Sequence, residues 1–354
     1  MKRKDDMLAA IHKELLLRKE EAEHDTIKTI YFGGGTPSLL TLEELQSLMD
    51  TIYQHYDVTE LPEISLEANP DDLSMQTIKQ LSNTKINRLS IGIQSFFEEE
   101  LQFMNRAHTA KESKECLSAA LESFDNVTID LIFGIPNMSN KKWQENLKTA
   151  FDFGVPHISS YALTVEEKTA LYHFIKKGKI PPLDENIALD QFNMLIEETE
   201  NQGFAHYEIS NFGKPPYFSK HNISYWLGEK YIGIGPSSHS FNGFERSWNI
   251  ANNAKYIKAL LQNELPCERE ELSVKNRFNE YVMTGLRTIW GVSFDKIEHD
   301  FGVDYMHQLK RNAQPFIEKG LLDIKADSIL GSTLTITKKG KFLADGIASD
   351  LFMI

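Results

Sequence analysis

Hydrophobic and polar positions follow two rhythms along this chain. The helical rhythm, with apolar residues three and four apart, opens the sequence at Met7, Leu8, Ile11, Leu15 and Leu16. It returns at Leu42, Leu45, Leu48, Met49, Ile52 and Tyr53, where Thr41 and Glu44 have the spacing of an N-terminal capping box. Further helices are predicted over Ser74–Leu81, Phe97–Asn105, Ala110–Phe124, Lys141–Phe153 and Ala188–Asn201. Between them lies the second rhythm, an alternation of period two. It predicts strands at Ile30–Phe32, Glu63–Ala68, Arg88–Gln94, Val127–Gly134 and His157–Leu163. Strands alternating with helices imply an α/β class with a parallel sheet, rolled into a full or partial barrel.

The strands carry more information than their number. A parallel strand covered by helices on both faces reads apolar throughout. Here Leu89, Ile91 and Ile93 share one face while Ser90, Gly92 and Gln94 share the other. Ile64 and Leu66 alternate with Ser65 and Glu67, and Val127, Ile129 and Leu131 with Thr128 and Asp130. One face therefore packs on helices, and the other, small and polar, lines a hollow. Glu67, Gln94 and Asp130 are expected to point into that hollow near strand C-termini, where barrel enzymes place their sites. The first strand runs into Gly33-Gly34-Gly35-Thr36-Pro37. Three consecutive residues without a Cβ let backbone N–H groups come close to a ligand.

From Glu166 to Pro266 the rhythm loosens into an aromatic and histidine-rich run: His206, Tyr207, Phe212, Tyr217, Phe218, His221, Tyr225, Trp226 and Tyr231. The run ends in Ile232-Gly233-Ile234-Gly235-Pro236-Ser237-Ser238-His239-Ser240, read as another glycine-broken strand. Helices at Val274–Arg287, Phe294–Phe301 and Tyr305–Lys319, short strands at Leu321–Ile324 and Leu334–Ile336, and a final helix at Lys338–Ala348 complete the chain. Three helices with a two-stranded wing suggest a small α+β, winged-helix-like C-terminal domain. The expected organisation is a βα partial barrel over 1–172, an extension over 173–265 and the C-terminal domain over 266–354.

Charge and cysteine content narrow the function. In 354 residues, 38 Lys and Arg stand against 51 Asp and Glu, a net charge of −13. Such a balance argues against nucleic-acid binding and assigns the wing-like domain a packing role. No apolar run reaches membrane-spanning length, and the two cysteines, Cys116 and Cys267, suit a reducing cytoplasm.

Motif order then becomes informative. Gly33-Gly34-Gly35-Thr36-Pro37, Glu67-Ala68-Asn69-Pro70 and Ser90-Ile91-Gly92-Ile93-Gln94-Ser95 are followed by Asn105-Arg106-Ala107-His108 and Asp130-Leu131-Ile132-Phe133-Gly134-Ile135-Pro136. In this order they resemble the radical S-adenosylmethionine (SAM) family of oxygen-independent coproporphyrinogen III oxidases. Downstream, His221-Asn222-Ile223-Ser224-Tyr225-Trp226 and Tyr231-Ile232-Gly233-Ile234-Gly235 resemble its HemW-like heme-chaperone branch. The resemblance implies a SAM pocket lined by Gly34, Gly35, Thr36, Glu67, Gln94, Arg106, Asp130 and Ala162. Glu67 and Asp130 suit hydroxyl or ammonium donors, Gln94 gives and accepts, and Arg106 pairs with a carboxylate. It also implies heme as a ligand, with His221 as candidate axial imidazole, His239 as a weaker one, and an unidentified acceptor protein. The alternative for His221 is a hydrogen-bonded structural histidine, and for Arg106 a surface ion pair.

One departure from the family stands out. Its four-iron four-sulfur cluster is held by a Cys-x3-Cys-x2-Cys motif after the first barrel strand, and this sequence contains neither that motif nor that strand. Cluster chemistry, in which SAM yields a 5′-deoxyadenosyl radical, needs that motif. The chain therefore reads as a barrel lacking its first strand, an N-terminally truncated member without the cluster ligands, with natural loss of the cluster as the alternative. The expected function is that of a heme chaperone-like protein inactive in cluster chemistry. The alternatives are a coproporphyrinogen III oxidase acting in porphyrin biosynthesis and a cluster-free binding scaffold.

Overall fold

The computed structural model describes residues 3–34, 37–327 and 331–354. Its main sheet has seven strands: β1 (Ile27–Phe32), β2 (Val58–Ala68), β3 (Arg88–Gln94), β4 (Val127–Phe133), β5 (His157–Ala162), β6 (Ala205–Glu208) and β7 (Asn211–Gly213), in the order β1-β2-β3-β4-β5-β7-β6. Strands β2 to β5 pair in parallel, and the β6–β7 hairpin adds antiparallel to β5. The result is a mixed α/β fold with a curled, mostly parallel half-barrel sheet. By contact the chain divides into two compact units. One comprises Tyr31–Leu40 and Glu63–Phe218; the other comprises Met1–Ile30, Thr41–Pro62 and Ser219–Ile354.

In the first unit the alternation sorts side chains as expected. Leu89, Ile91, Val127, Ile129, Leu131 and Ile158 are wholly buried on the helix-facing side. There Phe133 packs 5.7 Å from Trp143 and 6.0 Å from Phe192, centroid to centroid. Trp143, on helix Asn140–Asp152, donates its indole N–H to the Gln191 carbonyl at 2.9 Å. The Gln191 amide oxygen accepts from the Gly134 N–H at 2.7 Å, closing the end of β4 where the chain turns with a positive φ of 72°.

In the second unit, helix Leu42–His55 is capped by Thr41 and Glu44 in the reciprocal box that the spacing predicts. The opening helix, Lys4–Leu17, carries a carboxylate with no solvent exposure, Glu14. Glu14 Oε1 accepts from Arg18 Nε at 2.7 Å and Asn249 Nδ2 at 2.6 Å, while Oε2 accepts from Gly235 N at 2.8 Å and Tyr256 Oη at 2.5 Å. Four donors replace the water that burial removes. Near the C-terminus, helices Val274–Leu286, Phe294–Phe301 and Val303–Glu318 enclose Phe278, Val282, Ile297 and Leu309 with Leu322 and Leu334.

Several expected elements differ. The Ile232–Gly235 segment is not a strand: the Gly233 N–H bonds the Ser240 hydroxyl and the Gly235 N–H bonds Glu14, so its donors serve side chains instead of a ladder. A three-stranded sheet follows instead, made of β8 (His239–Phe241), β9 (Glu245–Asn249) and β10 (Cys267–Glu271). The wing has three strands, not two: β11 (Val292–Ser293), β12 (Leu322–Asp327) and β13 (Gly331–Ile336). The final helix begins later than expected, as a 3-10 turn at Lys341–Leu343 and an α-helix at Ala344–Asp350. Thr337 holds Gly340 N–H in a turn that delays it.

Candidate functional site

Register brings the polar positions of neighbouring strands to one face. Glu67 is level with Ser90, Ser90 with Thr128, and Asp130 with Ser159. These are the residues that alternation assigns to the hollow, and both carboxylates are half-buried. Glu67 is held at both oxygens: the Tyr31 hydroxyl donates to Oε1 at 2.6 Å and the Gly34 N–H to Oε2 at 3.1 Å. The glycine turn thus presents backbone to a carboxylate in the hollow. A Cβ at Gly33 would lie 3.1 Å from Glu67 Cδ and closer still to the Tyr31 ring, so glycine is required there for close approach. Gly35 and Thr36 lie outside the described residues.

A second cluster forms at the end of β3. Gln94 adopts a left-handed φ of 65°, and the β3–β4 register shifts between Ile91 and Gln94. Such backbone in a non-glycine residue is held in place by its surroundings. Arg106 donates to Asn69 Oδ1 at 2.6 Å and to the Gly92 carbonyl at 3.3 Å. A Cβ on Gly92 would stand 2.9 Å from Gln94 Nε2, 3.2 Å from Arg106 Nη2 and 3.4 Å from Asn69 Oδ1. The missing methyl is what lets an amide, a guanidinium and a second amide share one spot.

Electrostatics set Asp130 apart. Burial, and then the negative charge of Glu67, push its carboxyl up to about 7 against the pull of Ser159, Arg106 and Arg88. Part of its surface still faces the hollow, but protein atoms surround the carboxylate closely enough to hydrate it poorly. Tyr31 and Tyr161 are raised above the usual phenol range, chiefly by burial and then by Glu67 and Asp130 respectively. Ala162 is level with Phe133 on the helix-facing side, so its methyl does not line the hollow and only its backbone can serve a ligand there. Tyr161, Asn69 and Tyr31 are hollow residues that the motif reading did not single out as ligands. For Tyr161, the alternation His157, Ser159, Tyr161 carried the signal.

Beneath these residues the hollow is filled. Arg88 and His157 are almost wholly buried; His157 lies between the Thr128 hydroxyl at 2.5 Å and the Tyr207 hydroxyl at 2.7 Å. Burial and the nearby Arg88 hold His157 well below the usual imidazole range, hence neutral.

His221 belongs to the other unit. It lies on a short helix, Lys220–Trp226, capped by Ser219. The Thr29 hydroxyl meets His221 Nδ1 at 3.0 Å. The ring packs edge-on against Tyr225 at 4.9 Å, and Tyr225 edge-on against Tyr231 at 4.6 Å. Burial lowers His221 to about 4, so its imidazole is neutral, the form that ligates metals. His239 is exposed at the start of β8, with its ring 6.3 Å from Trp248.

Comparison with known proteins adds to this geometry. A profile of the Radical SAM superfamily matches residues 7–150, and one of the HemN C-terminal domain matches residues 272–343. The heme chaperone HemW of Bacillus subtilis is 32% identical over 348 residues, covering 97% of this chain and 90% of that protein. The chain belongs to the HemW family. HemW of Lactococcus lactis is 35% identical over 284 residues, 79% of this chain and 74% of that protein. Among solved structures, the radical SAM coproporphyrinogen III oxidase HemN of Escherichia coli superposes with a TM-score of 0.83 at 21% identity, over 99% of this chain and 83% of that one. That likeness establishes the HemN-type radical SAM fold.

Membership of a radical SAM family implies SAM and a four-iron four-sulfur cluster. The donor set of the hollow would suit SAM: Glu67 and Asp130 could accept, Gln94 could do both and Arg106 could offer donors, and the absence of a Cβ at Gly33 and Gly92 leaves these groups room to converge. The cluster is a different matter, since its site-differentiated form takes three thiolates. The sequence has two cysteines. Cys116 is buried in helix Ala110–Ser123 with its thiol pushed up to about 12 by burial, while Cys267 lies on β10. Among the described residues no group of three or more His, Cys, Asp or Glu could hold a metal ion.

Proposed function

We propose that this chain is a heme carrier that takes heme at His221 and binds SAM in the hollow of its sheet. The observation that carries this reading is the environment of His221: a neutral, half-buried imidazole fixed through Nδ1 by Thr29 and flanked by edge-packed tyrosines. His221 is the candidate axial imidazole, and Tyr225 and Tyr231 offer an apolar wall with polar tips to a porphyrin. The HemW relatives, named as heme chaperones, support the same assignment. The heme would pass to an acceptor protein. The expected compartment is the cytoplasm; no helix among the described residues is long and apolar enough to cross a membrane.

SAM supplies, when bound, a sulfonium for one-electron chemistry. Glu67 would take its hydroxyl or ammonium groups, Arg106 its carboxylate, and Gln94 and Asp130 the remaining polar edge. The two cysteines of this chain do not fit the cluster, so SAM would be a bound ligand and not a reactant.

Titration of hemin into the chain and into His221→Ala, followed by Soret absorbance, tests the reading. The wild type should give a shifted, saturable Soret band, and the variant should lose it or bind at least about tenfold more weakly. An unchanged band and affinity in the variant would remove His221 from the site.

A further inference from the structure

Arg287 links the end of a C-terminal helix to the His221 helix. Arg287, which follows helix Val274–Leu286, places its guanidinium carbon 5.5 Å from the centre of the Trp226 ring. It is also engaged by a carboxylate in fork geometry, Nε to Asp345 Oδ1 at 2.8 Å and Nη2 to Asp345 Oδ2 at 2.7 Å. Trp226 is the last residue of the helix that carries His221, five positions on, or about 7.5 Å along the axis and round its side.

We propose that Arg287 reads a carboxylate of the bound porphyrin, and that Asp345 occupies the same fork when no ligand is present. The inference rests on the reading of His221 as a heme ligand and adds to it the residue that selects for propionate groups. Three observations carry it. First, the chain has a net charge of −13, so its surface repels a dicarboxylate unless a cation is set aside for it. Arg287 is such a cation, placed over the Trp226 ring. Second, the pair is built for exchange. Arg287 is largely covered, with its side chain 27% exposed, whereas Asp345 is 64% exposed. A planar fork held on a ring is pre-organised for any carboxylate, and an exposed partner contributes little net energy by remaining. Third, apolar surface surrounds the fork in sequence: Leu227 follows Trp226, Ile289 lies two residues after Arg287, and Leu343 two before Asp345. Each is about half exposed. A cation among exposed apolar side chains suits a flat apolar ligand with an acidic edge.

A clamp that merely ties the C-terminal helices to the His221 helix predicts the same loss from removing either partner, whereas a carboxylate reader predicts opposite results for the two. Hemin and hemin dimethyl ester, in the same buffer and co-solvent, are titrated into the full chain and into Arg287→Ala, Arg287→Lys and Asp345→Asn. Removing the guanidinium should weaken hemin at least about tenfold and leave the diester unchanged, with lysine intermediate. Asp345→Asn removes the internal competitor and should tighten hemin several-fold without affecting the diester. Equal weakening of both ligands by Arg287→Ala, or weaker hemin binding by Asp345→Asn, overturns the proposal in favour of a clamp. Absence of hemin binding by the wild type overturns both this inference and the heme-carrier reading. Loss of hemin selectivity in Arg287→Ala with an unchanged Soret band in His221→Ala would keep Arg287 and discard His221.

Discussion

The Tyr31 hydroxyl donates to Glu67 Oε1 across 2.6 Å, linking the strand that enters the glycine turn to the carboxylate that the turn itself contacts. A carboxylate has room for further donors, so this bond aims Glu67 without exhausting it. Tyr31→Phe should therefore leave the fold intact and weaken SAM binding by about tenfold, the worth of one hydrogen bond to a charged group. Isothermal titration of both proteins checks this, and equal affinities would show that Glu67 needs no aiming.

Asp130 gives a pH signature with a defined sign. Its folded carboxyl is raised to about 7 from an ordinary value of 3.8. Between those values the native state holds a proton that the unfolded chain has released, so stability falls as pH rises through the window. Asp130→Asn keeps the neutral form at all pH. Relative to wild type its Tm should be higher at pH 8 than at pH 5.5, by thermal scans in matched buffers. A pH-independent difference would mean that the carboxyl titrates in its ordinary range.

Gly92→Ala tests the crowded spot at the end of β3. The added methyl meets the Gln94 amide at 2.9 Å and the Arg106 guanidinium at 3.2 Å, both flexible ends that can move aside. The expected outcome is a small loss of stability, about 1 kcal/mol, with a larger loss of SAM affinity as both groups are displaced. Urea unfolding and SAM titration of the same variant separate the two effects.

Iron content gives a fourth test. Two cysteines cannot supply three thiolates. Anaerobic reconstitution of this chain with iron and sulfide should leave less than one stoichiometric four-iron four-sulfur cluster. SAM should bind at least about two orders of magnitude more weakly than to a relative with the full cysteine motif, because two metal contacts are lost. A stoichiometric brown protein would reveal ligands of another kind.

Much of the hollow was legible because period-two alternation is a direct record of which way a side chain points. Glu67 and Asp130 could be placed on the same inward face before any register was known. Ala162 could not be read this way, since a motif carries residue identity without saying whether side chain or backbone meets the ligand. Helix Lys220–Trp226 has only seven residues, fewer than a periodic pattern needs to declare itself. The β6–β7 hairpin was hidden for a different reason: its strands, Ala205–Glu208 and Asn211–Gly213, are four and three residues long and buried on both faces, so nothing alternates. Asn69 and Arg106 fell in matching motifs, yet their mutual bond crosses 37 residues and depends on tertiary folding.

Glu14 bears on the order in which a ribosome-bound chain can become native. Its carboxylate needs the Gly235 N–H, 221 residues downstream, and the Tyr256 hydroxyl, 242 residues downstream. At ordinary synthesis rates that stretch takes on the order of ten to fifty seconds to emerge. Throughout that interval the Glu14 carboxylate lacks these two donors, although the helix that carries it already has Thr51 and Tyr56 as neighbours. Final closure of that part of the protein is thereby tied to the arrival of its later half, which prevents an early fragment from settling into a compact but incomplete state.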